Sequence, residues 1–260
     1  MIVAAALPGI PEVGLGDDLA RLIVSASGRL ADDDVLVVAH KVVSKSEGRV
    51  IALADVTPGA RARTLAGEHG KDPRLVEVIL GESEAIVASR PGVLICRTRH
   101  GYICANAGVD ASNAARGGEV VLLPLDPDAS ARALRARLRE LTGVTAAVVI
   151  GDSFGRAWRV GQCDVAIGVA GMDPVEDWRG RPDAGERTLE ATVIAVADQA
   201  AAMADLARRK DGREPVVLVR GLERHIREGD GPGAAALIRR RADDLFQSYT
   251  DRMDGVSRPW

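Results

Sequence analysis

The stretch AAVVIGDSFGR (146–156) opens with five small or branched apolar residues and closes in a polar segment spaced by glycines. An apolar run of this length without alternation reads as a strand covered on both faces. Gly151, Asp152 and Ser153 then follow at once. The chain is expected to leave the strand there and to carry Asp152 on a loop through 151–163. DVLVVAHKVVSKSEGR (34–49) has the same form: a buried strand over 35–39, then His40, Lys41, Ser44 and Lys45 at its end.

Working outward, helical spacing places Leu19, Leu22 and Ile23 on one face of a helix over 17–27. Short helices are expected at 61–70 and 73–80. Strands are expected at 2–6, 86–87, 92–97, 102–105, 120–123 and 216–219, with Pro91-Gly92 as a turn. Asp128 reads as the N-cap of a helix reaching Leu141, with Leu134, Leu138 and Leu141 aligned and Gly143 as the stop. A long alanine-rich helix is expected over 189–208 and a short one over 234–245. Other loops fall at 7–16, 106–118 and 171–187. Strands and helices mix without a regular βαβ period, so the class is α+β, mixed sheets with flanking helices. No linker marks a subdomain boundary. One domain over 1–247, open to division into subdomains at a boundary the sequence does not mark, with a tail over 248–260, is the reading.

The 260 residues suffice for a sizeable core, and at 47% hydrophobic and 27% charged they are ordinary globular values. Aromatics are only 3%, so aliphatic side chains must fill that core. A formal net charge of −3 argues against a general nucleic-acid binder. No apolar run reaches the ~20 residues of a membrane helix. The three cysteines, Cys96, Cys104 and Cys163, are odd in number and widely spaced, which fits a reducing cytoplasm and no disulfide framework. Cys96 and Cys104 read as core residues.

Two strand ends carry aspartates beside small polar residues: ANAGVDASN (105–113) and IGDSFGR (150–156). Hard divalent cations want oxygen ligands, and Mg²⁺ commonly takes one or two carboxylates plus substrate phosphates. Asp110 and Asp152 can therefore hold a metal, or can simply cap turns. Lys41 and Lys45 suit a phosphate, yet there is neither a G-x-x-x-x-G-K-[ST] loop nor a G-x-G-x-x-G turn. Arg156, Arg159 and Gln162 read either as an anion clamp or as ion-pair partners of Asp152 or Asp164. The four histidines lack metal-ligand spacing, and no G-x-S-x-G elbow is present.

The strings VVSKSEGR (42–49), ANAGVDASN (105–113), LPLDPDASA (123–131), GDSFGRAWRVGQCDVAIGVAG (151–171) and VVLVRG (216–221) together resemble the coenzyme F420-0:L-glutamate ligase family, over about 7–246. That family occurs alone and as the N-terminal half of a two-domain actinobacterial ligase. The resemblance implies a homodimeric α+β ligase particular to the family. It implies addition of L-glutamate to F420-0 and then F420-1 by γ-glutamyl bonds, at the expense of GTP. Implied ions are two Mg²⁺ or Mn²⁺, with K⁺ a further candidate. By motif match the metal would meet Asp110, Asp152 and Ser153, the last standing where the family often has Thr. The nucleotide would meet Ile10, Pro11, Glu12, Val13, His40, Lys41, Lys45 and Asn113. Asp110, Asp152 and Arg156 would be the catalytic set. Two departures from the family pattern stand out, Arg209 for a glycine and Gln199 for a glutamate. A ligase for another cofactor precursor and a non-catalytic nucleotide- or F420-binding homologue are the competing readings.

Overall fold

The computed structural model describes residues 1–111 and 118–246, and the chain divides into two compact units. One is built from Met1–Ser46 and Pro124–Leu237. The other is built from Glu47–Leu123 with the segment that starts at Ile238. The α+β expectation holds, and the boundary between the two units is one the sequence left unmarked. The division escapes a sequence reading because the chain crosses between them without a Pro/Gly-rich linker, first at Ser46/Glu47.

The first unit is organised by a five-stranded sheet in the order β1-β12-β2-β8-β9. Its strands are β1 (Val3–Ala6), β2 (Val35–Ala39), β8 (Ala147–Arg156), β9 (Arg159–Ala170) and β12 (Val216–Arg220). β2 and β8 run parallel; the other neighbours are antiparallel. The two apolar runs quoted at the outset are thus the centre of the sheet, where Val35, Leu36, Val37 and Val38 and Ala147, Val148, Val149 and Ile150 are fully buried. Alternation along β2 and β8 turns Val35, Val37, Ala147 and Val149 toward helix α6 (Val196–Ala207). Ala197, Ala200, Ala201 and Ala204 form the α6 side of that core. Small alanines let the helix lie close to the sheet.

On the opposite face α5 (Pro127–Thr142) packs on β8 and β9, with α1 (Leu19–Ser27) against it. Its N-cap is Asp126, whose side chain accepts from Ala129 N–H, with Pro127 at the first helical turn. Asp128, expected in that role, is instead a cross-brace. Its carboxylate accepts from Val169 N–H at 2.8 Å and Ala234 N–H at 2.7 Å. Gly168 lies so near the start of α5 that a Cβ there would sit 2.3 Å from the Pro127 carbonyl oxygen. Gly143 ends α5 in a left-handed conformation, as expected.

Three further expectations are corrected. The loop at 151–163 is not a loop: β8 and β9 continue as a hairpin arm to the Arg156–Arg159 turn. The helix expected from Leu189 starts only at Val196, because 176–194 folds back on itself through β10 (Glu176–Asp177) and β11 (Val193–Ile194). The helix over 234–245 is two 3-10 turns, Ala234–Leu237 and Arg241–Asp243.

Burial within α6 has a measurable consequence. Asp198 accepts from Ala166 N–H at 2.9 Å, and burial, only partly offset by that bond, raises its carboxyl above the ordinary aspartate range. A raised folded value means that ionisation works against the fold as pH rises through it. Asp198→Asn keeps an acceptor oxygen without the charge. It is expected to melt higher than the parent at pH 7, with the advantage fading as pH falls to about 3.8, the ordinary aspartate value. Thermal melts across that range check it.

The second unit carries α3 (Ala60–His69) and α4 (Pro73–Gly81), a sheet of β4 (Ser83–Arg90), β5 (Val93–Thr98) and β6 (Ile103–Ala105), and the pair β3 (Val50–Ala52) with β7 (Glu119–Val121). Ala62, Ala66, Val76, Ile79, Leu94, Cys96, Val120 and Leu122 form its core. Cys96 and Cys104 are buried thiols, as expected of core residues.

Candidate functional site

Polar side chains gather where the central strands of the first unit end. β2 passes without a loop into α2 (His40–Ser46), a helix that its Lys/Ser-rich sequence did not announce. His40 is 2% exposed. Its Nδ1 lies 3.4 Å from Ser44 Oγ and its Nε2 lies 3.2 Å from Asp152 Oδ1. Parallel pairing makes this meeting unavoidable, since Ala39 is in register with Gly151 and the next residues are His40 and Asp152. Asp152 also accepts from Ser153 N–H at 2.8 Å, while part of its carboxylate stays open to solvent.

Lys45, one helical turn further along α2, is buried, and its Nζ donates to Glu12 Oε1 at 2.5 Å. The pair ties the loop after β1 to α2. In that loop Ile10 and Val13 are buried and anchor it, whereas Pro11 and Glu12 are exposed. Lys41 is half-buried. The structure therefore joins two sets of the expected residues within one unit: Glu12 with Lys45, and His40 with Asp152 and Ser153.

The register between β8 and β9 shifts at Ile150/Gly151, immediately before Asp152. Such a bulge re-aims the side chains that follow it. Beyond it Asp152 pairs with Val165 and Ser153 with Asp164. Ser153 Oγ donates to Asp164 Oδ1 at 2.5 Å, and Asp164 is 0% exposed. The guanidinium of Arg208, just past the end of α6, pairs with the other Asp164 oxygen. Lys210 Nζ reaches Ser153 Oγ at 3.2 Å and Asp205 Oδ1 at 2.7 Å.

Asp164, Asp205, Arg208 and Lys210 were not singled out as site residues from the sequence. Asp164 was weighed only as an ion-pair partner for Arg156 or Arg159. Arg156 pairs with neither Asp152 nor Asp164. Its guanidinium donates to the Val160 carbonyl at 2.7 Å and the Gly161 carbonyl at 3.3 Å, closing its own hairpin turn. That turn carries Trp158 and Val160, 82% and 98% exposed. Of the two departures, Arg209 is exposed and pairs with Asp211 at 3.2 Å, and Gln199 is an exposed residue of the first turn of α6. Arg209's neighbour Arg208 is the one that enters the cluster.

Asp110 belongs to the second unit. Its backbone exchanges two hydrogen bonds with Val121, at 2.9 and 2.8 Å, and its residue is half-buried. Before it Asn106, Ala107 and Gly108 all have positive φ, at 53°, 55° and 72°. Two of these are not glycine, so the turn is held against its preference by packing, with Ala107 in the core. A Cβ at Gly108 would meet Leu123 at 2.7 Å, so this glycine is kept for close packing. Asn113 lies outside the described residues.

The oxygen donors at this strand end are the Asp152 carboxylate, with an open edge, and, at the next position of β8, the Ser153 hydroxyl held by Asp164. This fits a hard cation that also takes substrate oxygens. Among the described residues no three His, Cys, Asp or Glu side chains cluster into a protein cage. Nor is any described helix long and apolar enough to cross a membrane.

Comparison with known proteins bears on what this arrangement serves. Residues 9–221 match the model of the F420-0:Gamma-glutamyl ligase family. The coenzyme F420:L-glutamate ligase of Methanopyrus kandleri is 48% identical over 238 residues, 91% of this chain and 94% of the relative. That of Methanothermobacter thermautotrophicus is 44% identical over 244 residues, covering 92% and 96%. That of Archaeoglobus fulgidus is 45% identical over 215 residues, covering 82% and 85%. With identity at this level spread over nearly the whole of each chain, the protein belongs to the F420-0:gamma-glutamyl ligase family of enzymes.

Proposed function

We propose that this ligase joins L-glutamate to F420-0 and then to F420-1 through γ-glutamyl amide bonds, with GTP activating the acceptor carboxylate and GDP and phosphate released. What carries the reading is the meeting of Asp152, His40 and the buried Lys45 at one sheet end, in a chain close to half identical to ligases of that name. A carboxylate resists attack by an amine because it has no good leaving group. Phosphorylation supplies one: the carboxylate oxygen attacks the γ-phosphorus, the acyl phosphate forms, and GDP leaves. The glutamate amine then attacks the acyl carbon, and phosphate departs with its oxygen.

The roles of the chain's own residues follow from their chemistry. Lys45, fixed by Glu12, supplies positive charge for phosphate oxygens. Glu12, Pro11 and the anchoring Ile10 and Val13 shape the same wall, and Lys41 and Asn113 complete the set that the family pattern assigns to the nucleotide. The buried His40 ring packs against the Asp152 carboxylate, with Nε2 at 3.2 Å. Divalent ions, Mg²⁺ or Mn²⁺, would be held in the first unit by Asp152 and Ser153, and when bound would neutralise charge on the transferring phosphoryl group. The reading includes a homodimer acting in the cytoplasm.

Incubation with F420-0, L-glutamate, GTP and Mn²⁺ is expected to give products heavier by one and then two glutamyl residues, with GDP released in step. GDP release without a mass gain, or a gain with ATP and none with GTP, would overturn the respective part of the proposal. A gain with another amino acid and none with glutamate would move the chain to a sister activity.

A further inference from the structure

Ser153 has one proton and two lone pairs to place. The proton goes to Asp164, a carboxylate that only accepts. One lone pair faces the Lys210 ammonium at 3.2 Å, which only donates. The hydroxyl is thus fixed with its hydrogen turned toward Asp164 and its oxygen turned to positive charge.

Asp164 holds this geometry from a fully buried position. A carboxylate removed from water is tolerable only when paired, and Arg208 is the partner, itself almost buried. Arg208 Nε also lies 4.0 Å from Asp205 Oδ1, and Asp205 in turn holds Lys210. The five side chains close a ring: Ser153 to Asp164, to Arg208, to Asp205, to Lys210 and back to Ser153.

We infer that Asp164 and Arg208 are positioning residues that turn the Ser153 hydroxyl proton away so that its oxygen can serve a divalent ion. The inference rests on the reading that Ser153 is a ligand of such an ion. A serine left to rotate would spend part of its time with the proton pointing at the cation. Partners of this kind behind a metal ligand commonly change affinity ~10- to 100-fold when removed. Arg208 acts through Asp164: without it Asp164 is a buried charge lacking its cation, and the acceptor for the Ser153 proton is lost or displaced.

The test is Mn²⁺ binding to the whole protein, read as loss of the free-ion electron paramagnetic resonance signal, alongside steady-state turnover. Asp164→Asn offers Ser153 an amide that can donate to the lone pair meant for the metal. It is expected to raise the Mn²⁺ concentration at half-saturation about tenfold. Ser153→Ala should do about the same, and the Ser153→Ala/Asp164→Asn double variant no more than either alone, since both act through one hydroxyl. Arg208→Lys should recover part of what Arg208→Met loses. Should Arg208→Met fail to fold, the Asp164→Asn/Arg208→Met pair removes both buried charges together and serves in its place, with the same tenfold loss expected. Wild-type Mn²⁺ affinity in a folded Asp164→Asn variant would overturn the inference, as would effects of Ser153→Ala and Asp164→Asn that multiply. Asp152→Asn separates the two levels. If it abolishes Mn²⁺ binding while Asp164→Asn does not weaken it, only the positioning role fails. If the parent protein itself takes up no Mn²⁺, the metal reading fails with it.

Discussion

Asp152→Asn is expected to lower the rate of glutamate addition by about a thousandfold or more while leaving the melting temperature within ~2 °C of the parent. The asymmetry comes from what the carboxylate touches. Inside the protein it accepts one backbone hydrogen bond, from Ser153, and faces His40 Nε2. An asparagine oxygen can meet both demands, so the fold has little reason to respond. What the amide cannot do is present a full negative charge at its open edge. Charge complementarity to ions and phosphates is where such a site acts, and losses of two to three orders of magnitude are usual when one well-placed group is removed. Asp110→Asn is expected to match it in kinetics, because the family pattern gives both aspartates one task. Turnover within a factor of ten of the parent in the Asp152 variant would remove that residue from the chemistry.

Gly168→Ala carries the opposite signature. One added methyl group would lie 2.3 Å from the carbonyl oxygen of Pro127 and 3.0 Å from its Cβ. Both obstacles belong to the first turn of α5, which Asp126 caps and which Asp128 ties to β9 and to the turn at Ala234. The clash therefore falls largely on backbone that is held from several sides, and helix or strand must shift. Overpacking of this sort costs about 3 kcal/mol, or roughly 10 °C in melting temperature for a protein of this size. Gly151→Ala is the matched control. It lies on the same sheet, but its added Cβ would find only ordinary contacts, 3.6 Å or more from Val165 and Ala201. It should melt within about 2 °C of the parent. Equal melting of the two alanine variants would show that the α5 start yields freely.

These two residues also mark what the sequence could and could not convey. The central strands were legible because VLVVA and AAVVI are unbroken apolar runs, and only a doubly covered strand accepts one. Gly168 sits in the same signature block as Asp152, yet nothing local distinguishes a glycine kept for a neighbouring helix from one kept for a ligand. The β8–β9 arm was hidden for a physical reason: past Asp152 it is a two-stranded ribbon with Gly155, Arg156, Arg159, Val160 and Gly161 exposed, so there is no buried face to impose alternation. The cap of α5 slipped by two residues because Asp126 and Asp128 are equally able caps, and only the position of Val169 and Ala234 decides between them. Asp164 and Arg208 are forty-four positions apart in pairing that no short motif records. The meeting of His40 with Asp152 was within reach of the sequence, since parallel pairing of β2 with β8 brings them together once the two strands are recognised.

The same parallel pairing sets an order of events for a chain emerging from the ribosome. Val35 waits for Ala147, and β1 waits for β12, whose Leu218 faces Ala5. The residues of the second unit up to Leu123 are synthesised in between and can settle on their own contacts first. Until then VLVVA is an unpaired apolar strand, the kind of segment that associates with its like or is held by a chaperone. Long-range closure of this kind is slow. Yield of native enzyme from a fast-translating host should therefore be more sensitive to temperature than the stability of the finished fold suggests.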